Sequence, residues 1–352
     1  MIAMQKIMLF VVSILLLANL ITCQYPVDSS ALPDAKKFLV IEAELTDSFA
    51  RVNVAYTLTE VTSQGGYLLP IPPDATAYVL DSRGNRTDFT PDGTKNTAFR
   101  GVVGETYKLY VQADGEVYES EAETIPTCPA LDSLVPVYSR ETFRSPQSLY
   151  YDGFDVYAQT QDLATQENYY QWDWLHYERL FSCDIIDGFR VPCTPYDCWG
   201  ITYNTQIIVQ SDKLRDGQPI AHKVARVPFA TPPQKFYYLR VEQRAITASV
   251  HAYLKSLETQ TQNVGSIFDI PAQTKFNPNV HNVNHPTEQI LGVFSVYSSR
   301  QRVLNINLQQ EINGVKAKAV TDLRPFTPVP LLQAPCTEGF YRTQTKPIGW
   351  RD

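Results

Sequence analysis

The residues that precede Cys23 indicate a covalent modification of this cysteine, and this is the clearest chemical signal in the sequence. An apolar run at residues 7–17 precedes it, and the four residues that end at Cys23 read Leu-Ile-Thr-Cys, the form of a bacterial lipoprotein signal. In such a signal the cysteine becomes the first mature residue and carries lipid, and each buried methylene group stabilises the anchor by roughly 0.8 kcal/mol. The sequence therefore predicts that residues 1–22 are a signal peptide and that Cys23 is the lipid attachment site.

The N-terminal segment has two alternative interpretations. Its apolar core, residues 7–17, is too short to span a bilayer comfortably, which disfavours a permanent membrane helix. An ordinary secretory signal cut nearby would leave Cys23 without lipid. No cleavage site of small residues follows the apolar run, although Thr22 stands where Gly, Ala or Ser is usual in a lipoprotein signal.

Five further cysteines lie in a chain that we expect to reach an oxidising compartment, where disulfides persist. They are Cys128, Cys183, Cys193, Cys198 and Cys336. An odd number cannot all pair, and the sequence does not determine the partners. A disulfide within the group at residues 183–198 would staple a loop-like connection. Zinc would need paired C-x-x-C or nearby histidines, and neither spacing occurs, so we predict no metal and no cofactor.

Aromatic residues are concentrated in a strand predicted at residues 169–177. Side chains alternate between the two faces of a strand, so both faces carry aromatic rings. Rings that faced a cleft could stack on sugar rings or aromatic ligands. The candidates for such stacking are Tyr169, Tyr170, Trp172 and Trp174. The alternative, which we favour, is that these rings fill a core between the sheet and a helix.

Acid–base catalysis would need carboxylates that converge. Four aspartates lie in one region of the sequence, at Asp152, Asp155, Asp162 and Asp173. Solvated turn carboxylates are the common alternative. His281 and His285 would share a metal only on a helix, and the flanking Pro278 and Pro286 favour a loop. The common hydrolase, zinc, phosphate-loop and calcium-loop motifs are missing from the sequence, so we predict a non-catalytic protein, with a carboxylate-dependent hydrolase as the weaker alternative.

The composition favours an exported protein built from strands. The chain has 44% hydrophobic and 12% aromatic residues, and its 24 prolines and 21 tyrosines favour strands and loops over helices. The formal net charge is −7, and no run of Lys or Arg offers a surface for phosphates, so we predict no nucleic-acid partner. We expect an all-β, mainly antiparallel fold.

The first predicted domain follows a tether at residues 23–36. Period-two alternation and turn residues predict an Ig-like or fibronectin-like β-sandwich at residues 37–126. Its predicted strands are 38–44, 51–58, 75–80, 97–102, 106–111 and 116–120. Asp114-Gly115 predicts a tight hairpin between the last two strands. Pro126 and Pro129 then disfavour both a helix and the hydrogen-bonded ladder of a strand, which predicts a domain boundary there.

The second predicted domain, residues 130–352, is a larger β-rich unit. Its predicted strands are 153–159, 169–177, 206–210, 236–247, and a hairpin of 292–298 with 301–308. Apolar residues at helical spacing predict one amphipathic helix at residues 248–260, with Thr247 as its N-cap. Residues 326–352 are predicted to pack onto the surface as a tail.

Seven short segments carry a resemblance to a known family. They are FLVIEA (38–43), GETYKL (104–109), YESE (118–121), YYQW (169–172), CW (198–199), NVGSIFD (263–269) and LGVFS (291–295). Together they resemble a family of Bacteroidetes-type outer-membrane lipoproteins that is catalogued as domain of unknown function 4249. The last two segments flank the predicted helix and are the most specific. The chain departs from the family at Cys336, which stands alone in a tail that often carries a cysteine pair.

The resemblance implies an outer-membrane lipoprotein, anchored on the periplasmic or the cell-surface face and often encoded near TonB-dependent transporters. No reaction is established for the family. We therefore hypothesise a ligand-binding or accessory component beside such a transporter, with membrane lipid bound through Cys23 and the ligand unidentified. The alternative is a structural or adhesive envelope protein, in which the Ig-like module spaces the larger domain from the membrane.

Overall fold

The computed structural model covers most of the predicted body of the protein. It describes residues 37–57, 60–61, 67–68, 70–144, 150–164, 166–182, 185–186, 189–190, 194–228, 236–262, 279–307 and 336–351. The predicted signal peptide, Cys23 and the tether lie outside the described residues, as do Cys183 and Cys193. Phe38–Asp352 forms one compact unit.

Antiparallel strands dominate the described residues, which confirms the predicted all-β class. The strands in the first part of the chain are β1 (Leu39–Thr46), β2 (Ala50–Tyr56), β3 (Glu60–Val61), β4 (Tyr67–Leu68), β5 (Thr76–Asp81), β6 (Arg86–Phe89), β7 (Thr106–Ala113), β8 (Glu116–Ser120) and β9 (Glu123–Thr124). They are followed by β10 (Ser133–Arg144), β11 (Tyr150–Gln161), β12 (Tyr169–Ser182), β13 (Ile185–Ile186), β14 (Phe189–Arg190), β15 (Thr194–Tyr203), β16 (Ile208–Ser211), β17 (Pro219–Pro228) and β18 (Phe236–Ile246). The helix α1 (Ala248–Gln262) and the strands β19 (Val280–Asn282), β20 (Phe294–Asn307) and β21 (Arg342–Thr343) complete the list.

A central sheet runs through the molecule in the order β2-β1-β20-β18-β12-β15-β21, and β16 also pairs with β12. Its strand β1 lies parallel to β20, from Ala43 beside Phe294 to Thr46 beside Tyr297. A second sheet has the order β19-β8-β7-β5-β6, so β8 also takes a late strand as its neighbour. Strands of the predicted module at residues 37–126 therefore pair with strands from residues 280–297, and the predicted boundary near Pro126 lies inside the compact unit.

Two apolar cores hold the sheets together. In the first, alternate residues of β1 and β2 pack against β5, β7 and β8, as a period-two pattern requires. In the second, the three-stranded sheet β10-β11-β17 packs against β12 and β18 of the central sheet. Full burial of one large apolar side chain contributes about 1.5–3 kcal/mol, so each core contributes substantially to the stability of the fold.

The predicted hairpin at Asp114-Gly115 is confirmed. Ala113 pairs with Glu116, and both loop residues have positive φ, 54° and 75°, as a type I′ turn requires. Asp74 accepts the amide hydrogens of Gly115 and Asp114 at 2.8 and 2.9 Å. These backbone bonds lower the pKa of Asp74, and they hold the turn against the end of β5.

Two strand predictions are wrong. The predicted hairpin at residues 292–308 is the single long strand β20, which pairs with β18 from Ile246–Tyr297 to Phe236–Asn307. Its residues from Tyr297 to Asn307 pair with β18 without interruption, so the chain does not reverse there. Residues 97–102 are irregular. They continue a loop in which Asn96 bridges to Ala50 on the outer side of β2, where an open edge would otherwise invite association with another chain.

The predicted helix is confirmed as α1, two residues longer than expected. The carbonyl of Thr247 accepts the amide hydrogen of His251, as an N-cap carbonyl should. Val250 is buried against Ile246 and Tyr297, so α1 covers one end of the central sheet. Among the described residues no helix has the length and apolar character that a membrane crossing needs.

Candidate functional site

The aromatic strand β12 contributes to the core, which corrects the ligand-stacking hypothesis for Tyr170 and Trp172. Both side chains are fully buried. The Trp172 indole N–H donates to Gln243 Oε1 at 3.0 Å, and the indole ring stacks on His222 with 4.7 Å between centroids. The Tyr170 hydroxyl donates to Asp162 at 2.5 Å. No ring face of either residue is left for a ligand.

The other two candidates on β12 are only partly buried. Tyr169 lies 4.9 Å from the His251 ring and packs beside α1. Trp174 packs at the edge of the second core, and its indole Nε1 has no hydrogen-bond partner within the described structure. These two rings remain candidates for ligand contact, and they lie on opposite faces of the strand.

Three histidines are packed as aromatic rings. Burial lowers the pKa of His176 to about 4, and the pKa values of His222 and His251 are also lowered, chiefly by burial. His176 stacks on Tyr237 at 3.9 Å, and its Nδ1 contacts the carbonyl of Tyr238 at 2.7 Å. All three imidazoles are therefore neutral at pH 7, and their environment favours packing over proton transfer.

A cluster of three carboxylates lies where β11 ends, beside the loop that follows β16. One oxygen each of Asp162, Asp212 and Asp216 lies within 4.8 Å of the others, the only such group of potential cation ligands among the described residues. Asp162 accepts hydrogen bonds from the Tyr170 hydroxyl and the Gly217 amide. Carboxylates are ligands that hard cations prefer, but these bonds give the cluster a structural role, because they tie the loop to β12.

Asp162 and Asp212 are both buried, and one carboxyl oxygen of each lies within 4.8 Å of the other. Burial raises the pKa of Asp212, and the neighbouring carboxylate raises it further, while the Asn168 bonds oppose the shift. An acid whose pKa is raised by folding keeps a proton that the unfolded chain loses. The contribution of Asp212 to the free energy of unfolding should therefore fall as the pH rises from the ordinary aspartate range through the raised pKa.

We expect Asp212→Asn to stabilise the protein by about 1 kcal/mol at neutral pH. The amide would donate to Asp162 without adding a second charge, and its oxygen would still accept the Asn168 amide hydrogen. The Asn168 side-chain amide loses its 3.2 Å bond to Asp212 Oδ2 but keeps its bonds to the carbonyls of Leu163 and Gln166. Urea unfolding from pH 4 to 8 tests this. If the variant were less stable than the parent throughout that range, a proton held between Asp162 and Asp212 would be ruled out. Asp132→Asn, at an exposed aspartate, is the matched control.

The remaining three predicted aspartates have separate partners. Asp152 accepts the Tyr138 hydroxyl at 2.5 Å, and Asp155 pairs with Arg226 at 2.9 Å. Asp173 lies 3.4 Å from Arg244. The structure thus brings only Asp162 into a carboxylate cluster, with two partners that the sequence analysis missed because they follow β16, about 50 residues later.

The two histidines at residues 281 and 285 each face a different glutamate. His281 lies in β19 with its Nε2 3.5 Å from Glu119, and His285 Nε2 lies 3.8 Å from Glu116. The segment is a short strand and a turn, as the flanking prolines suggested. The two imidazoles therefore do not form a helical metal-binding pair.

A charged network on the central sheet was also missed. Arg244 contacts Glu242 at 2.6 Å and lies 5.0 Å from the Tyr297 ring, and the Tyr297 hydroxyl donates to Glu44. Burial alone would raise the pKa of Glu242, but the charge and hydrogen bonds of Arg244 outweigh it, so this pKa is lowered. The signal in the sequence was Glu-x-Arg, because residues i and i+2 of a strand share a face. The network links β1, β18 and β20.

The structure shows one cysteine pairing that the sequence left open, whereas a local disulfide between Cys183 and Cys193 would lie outside the described residues. Cys198 bonds to Cys336, with 5.9 Å between Cα atoms and 138 residues between them in sequence, so Cys198 is not available to Cys183 or Cys193. Cys128 is a buried free thiol, and burial raises its pKa to about 11. A thiol held neutral in this way is a poor nucleophile.

A shallow cavity of about 260 Å³ opens at the edge of the β10-β11-β17 sheet. Its lining residues are Asp132, Gln159, Thr160, Gln161, Pro219, Ile220 and Ala221. Its polar groups are largely bonded to the protein, since Asp132 accepts the Gln161 amide hydrogen and Thr160 donates to the carbonyl of Ala130. Pockets for drug-sized ligands are usually about 300–1,000 Å³, so this one suits only a small molecule.

Comparison with known protein families gives a match. Residues 24–302 match the family described as "Domain of unknown function (DUF4249)". No curated protein matches the chain. The match covers well over half of the sequence and includes strands β1 to β19 and most of β20. It confirms the resemblance to domain of unknown function 4249: the chain belongs to the DUF4249 family.

Proposed function

We propose that the protein is a lipid-anchored, non-catalytic outer-membrane lipoprotein that acts as an accessory or ligand-binding component beside a TonB-dependent transporter. The observation that carries this proposal is Cys23 at the end of an apolar signal-like segment. The family match begins at residue 24, directly after that cysteine, which supports Cys23 as the border between a removed signal and the mature body.

The environment of the polar side chains supports a role without catalysis. The packed histidines have lowered pKa values, the Cys128 thiol has a raised one, and most of the predicted aspartates pair with a cation or a hydroxyl. General acid–base catalysis needs a group whose pKa lies near the operating pH and which can reach a substrate. The candidates named from the sequence lack that combination.

Affinity purification of the full-length protein from a mild detergent extract of its native envelope tests the partner. We expect a TonB-dependent transporter to co-purify at low salt. A Cys23→Ser variant, which cannot be acylated, is the matched control and should recover much less of it. If the acylated chain emerges alone, the accessory role is wrong.

A structural or adhesive envelope protein is the second candidate. The observation that favours it is the interlocked body, in which β1 pairs with β20 and β8 pairs with β19. Such pairing of early with late strands resists separation of the two parts under load. A deletion strain separates the candidates: slower growth on one nutrient favours uptake, whereas altered adhesion with normal growth favours a structural role.

A further inference from the structure

The C-terminal segment, residues 336–351, is fixed at both ends onto one edge of the central sheet. The Cys198–Cys336 disulfide ties its start to β15, and β21 pairs Thr343 with Trp199. Near its end, the Trp350 ring lies 6.0 Å from Trp199 and 5.8 Å from Tyr238. The segment lies outside the family-matched region, residues 24–302.

This segment displays two aromatic rings to solvent. Phe340 and Tyr341 are each 67% exposed, and they are the only aromatic side chains that are so exposed in the described structure. The Phe340 ring stacks on Tyr203 at 4.6 Å and meets Tyr341 edge-on at 4.8 Å. The Tyr203 hydroxyl also donates to the carbonyl of Phe340 at 2.9 Å. The rings are therefore held rigidly although they gain little from burial.

The charge of the segment is opposite to that of the whole chain. Residues 336–352 contain three cations, Arg342, Lys346 and Arg351, and two acids, Glu338 and Asp352, which gives a net charge of +1, whereas the whole chain has a net charge of −7. The carboxylate of Glu338 accepts hydrogen bonds from Thr343 and the Gln344 amide, so its acceptor capacity is partly used within the segment. A further apolar side chain, Ile348, is 88% exposed. Exposed aromatic rings beside cations are typical of protein surfaces that lie at a lipid interface.

We propose that residues 336–351 are a membrane-contact surface, in which Phe340 and Tyr341 insert among lipid headgroups and the cations face anionic lipid. The inference rests on the proposed lipid anchor, because residues 23–36 can span at most about 50 Å and would keep the body close to the bilayer. One acyl anchor leaves the body free to turn. A second contact would fix which face of the central sheet points away from the membrane.

The positive charge of the segment favours a lipid surface over a protein as its binding partner. An acidic body is repelled by anionic membranes except where it presents cations, and each Lys or Arg near such a surface strengthens the attraction. The ring pair supplies the apolar area that lets a short basic segment remain bound when salt screens the charges.

The test uses the mature chain without its anchor, beginning at Gln24, and flotation with vesicles of phosphatidylethanolamine and phosphatidylglycerol. We expect the unacylated chain to float with these vesicles, less so at high salt, and less with phosphatidylcholine alone. The double variant Phe340→Ala with Tyr341→Ala should bind at least tenfold more weakly. Leu214→Ala is the matched control, since Leu214 is 92% exposed outside the segment, and should bind like the parent.

Arg342→Gln with Lys346→Gln is a second variant, which should lose binding to anionic vesicles while melting like the parent. Unbound parent chain, or equal binding by the parent and the aromatic double variant, would overturn the proposal. A third result would assign the rings to a protein partner instead. In that case the parent would not bind vesicles, and the aromatic double variant would lose co-purification with the transporter. The flotation outcomes do not depend on acylation of Cys23, which is measured separately.

Discussion

Replacing Trp172 with alanine is expected to lower the free energy of unfolding by about 3–5 kcal/mol. The side chain is fully buried between the sheets, and its ring stacks on His222. The substitution opens a cavity and also leaves the Gln243 Oε1 acceptor without its donor, which adds to the cost because a buried acceptor loses its partner. Equilibrium unfolding in urea measures the loss.

Two variants separate the contributions at this position. Trp172→Phe keeps most of the ring but removes the N–H donor, so we expect a loss of about 1–2 kcal/mol. Tyr169→Ala, on the partly exposed face of the same strand, should cost clearly less than Trp172→Ala. If Trp172→Ala cost under about 1 kcal/mol, the ring would not be a core residue and the ligand-stacking hypothesis would return.

Removal of the Cys198–Cys336 disulfide should produce the other large effect. The bond closes a loop of 138 residues, and loss of a native disulfide in an exported protein typically costs about 2–5 kcal/mol. The double variant Cys198→Ala with Cys336→Ala should therefore unfold at lower urea concentration. Its Trp350 emission should also shift to longer wavelength, because the indole is no longer held against Trp199 and Tyr238.

Cys128→Ala provides the matched control, since Cys128 is a buried cysteine with a free thiol. It should cost less and should leave the Trp350 emission unchanged. Alkylation of Cys336 in the native, unreduced protein would contradict the disulfide, and so would a double variant as stable as the parent.

Local signals in the sequence predicted the elements that depend on neighbouring residues. Asp114-Gly115 predicted a hairpin because positive φ is a local requirement, and both residues adopt it. Helical spacing after Thr247 predicted α1 within two residues. The alternation along residues 169–177 predicted a strand in the same way, and β12 begins at Tyr169.

Non-local pairing could not be predicted in this way. The parallel contact of β1 with β20 joins residues about 250 apart, and no local pattern encodes it. A polar stretch around Ser299 suggested a turn, yet β18 supplies a continuous ladder of partners, so the stretch extends as a strand. Tertiary pairing outweighed the local preference there.

The candidate sites show the same difference between local patterns, which the sequence reveals, and contacts between distant segments, which it does not. Composition at β12 indicated aromatic packing, but only the fold shows that Tyr170 and Trp172 face the β10-β11-β17 sheet. The Asp162–Asp212 pair and the Cys198–Cys336 bond join distant segments. The rings of Phe340 and Tyr341 gave no signal, because their exposure depends on where the disulfide holds the segment.

The mass of the mature N-terminal peptide, isolated from the native envelope, tests the central claim most directly. Acylation at Cys23 predicts that the chain begins at this residue and carries the added mass of lipid, and that Cys23→Ser leaves the signal attached. An N-terminal peptide that starts elsewhere, or that starts at Cys23 with no added mass, would contradict the lipid anchor and the function built on it.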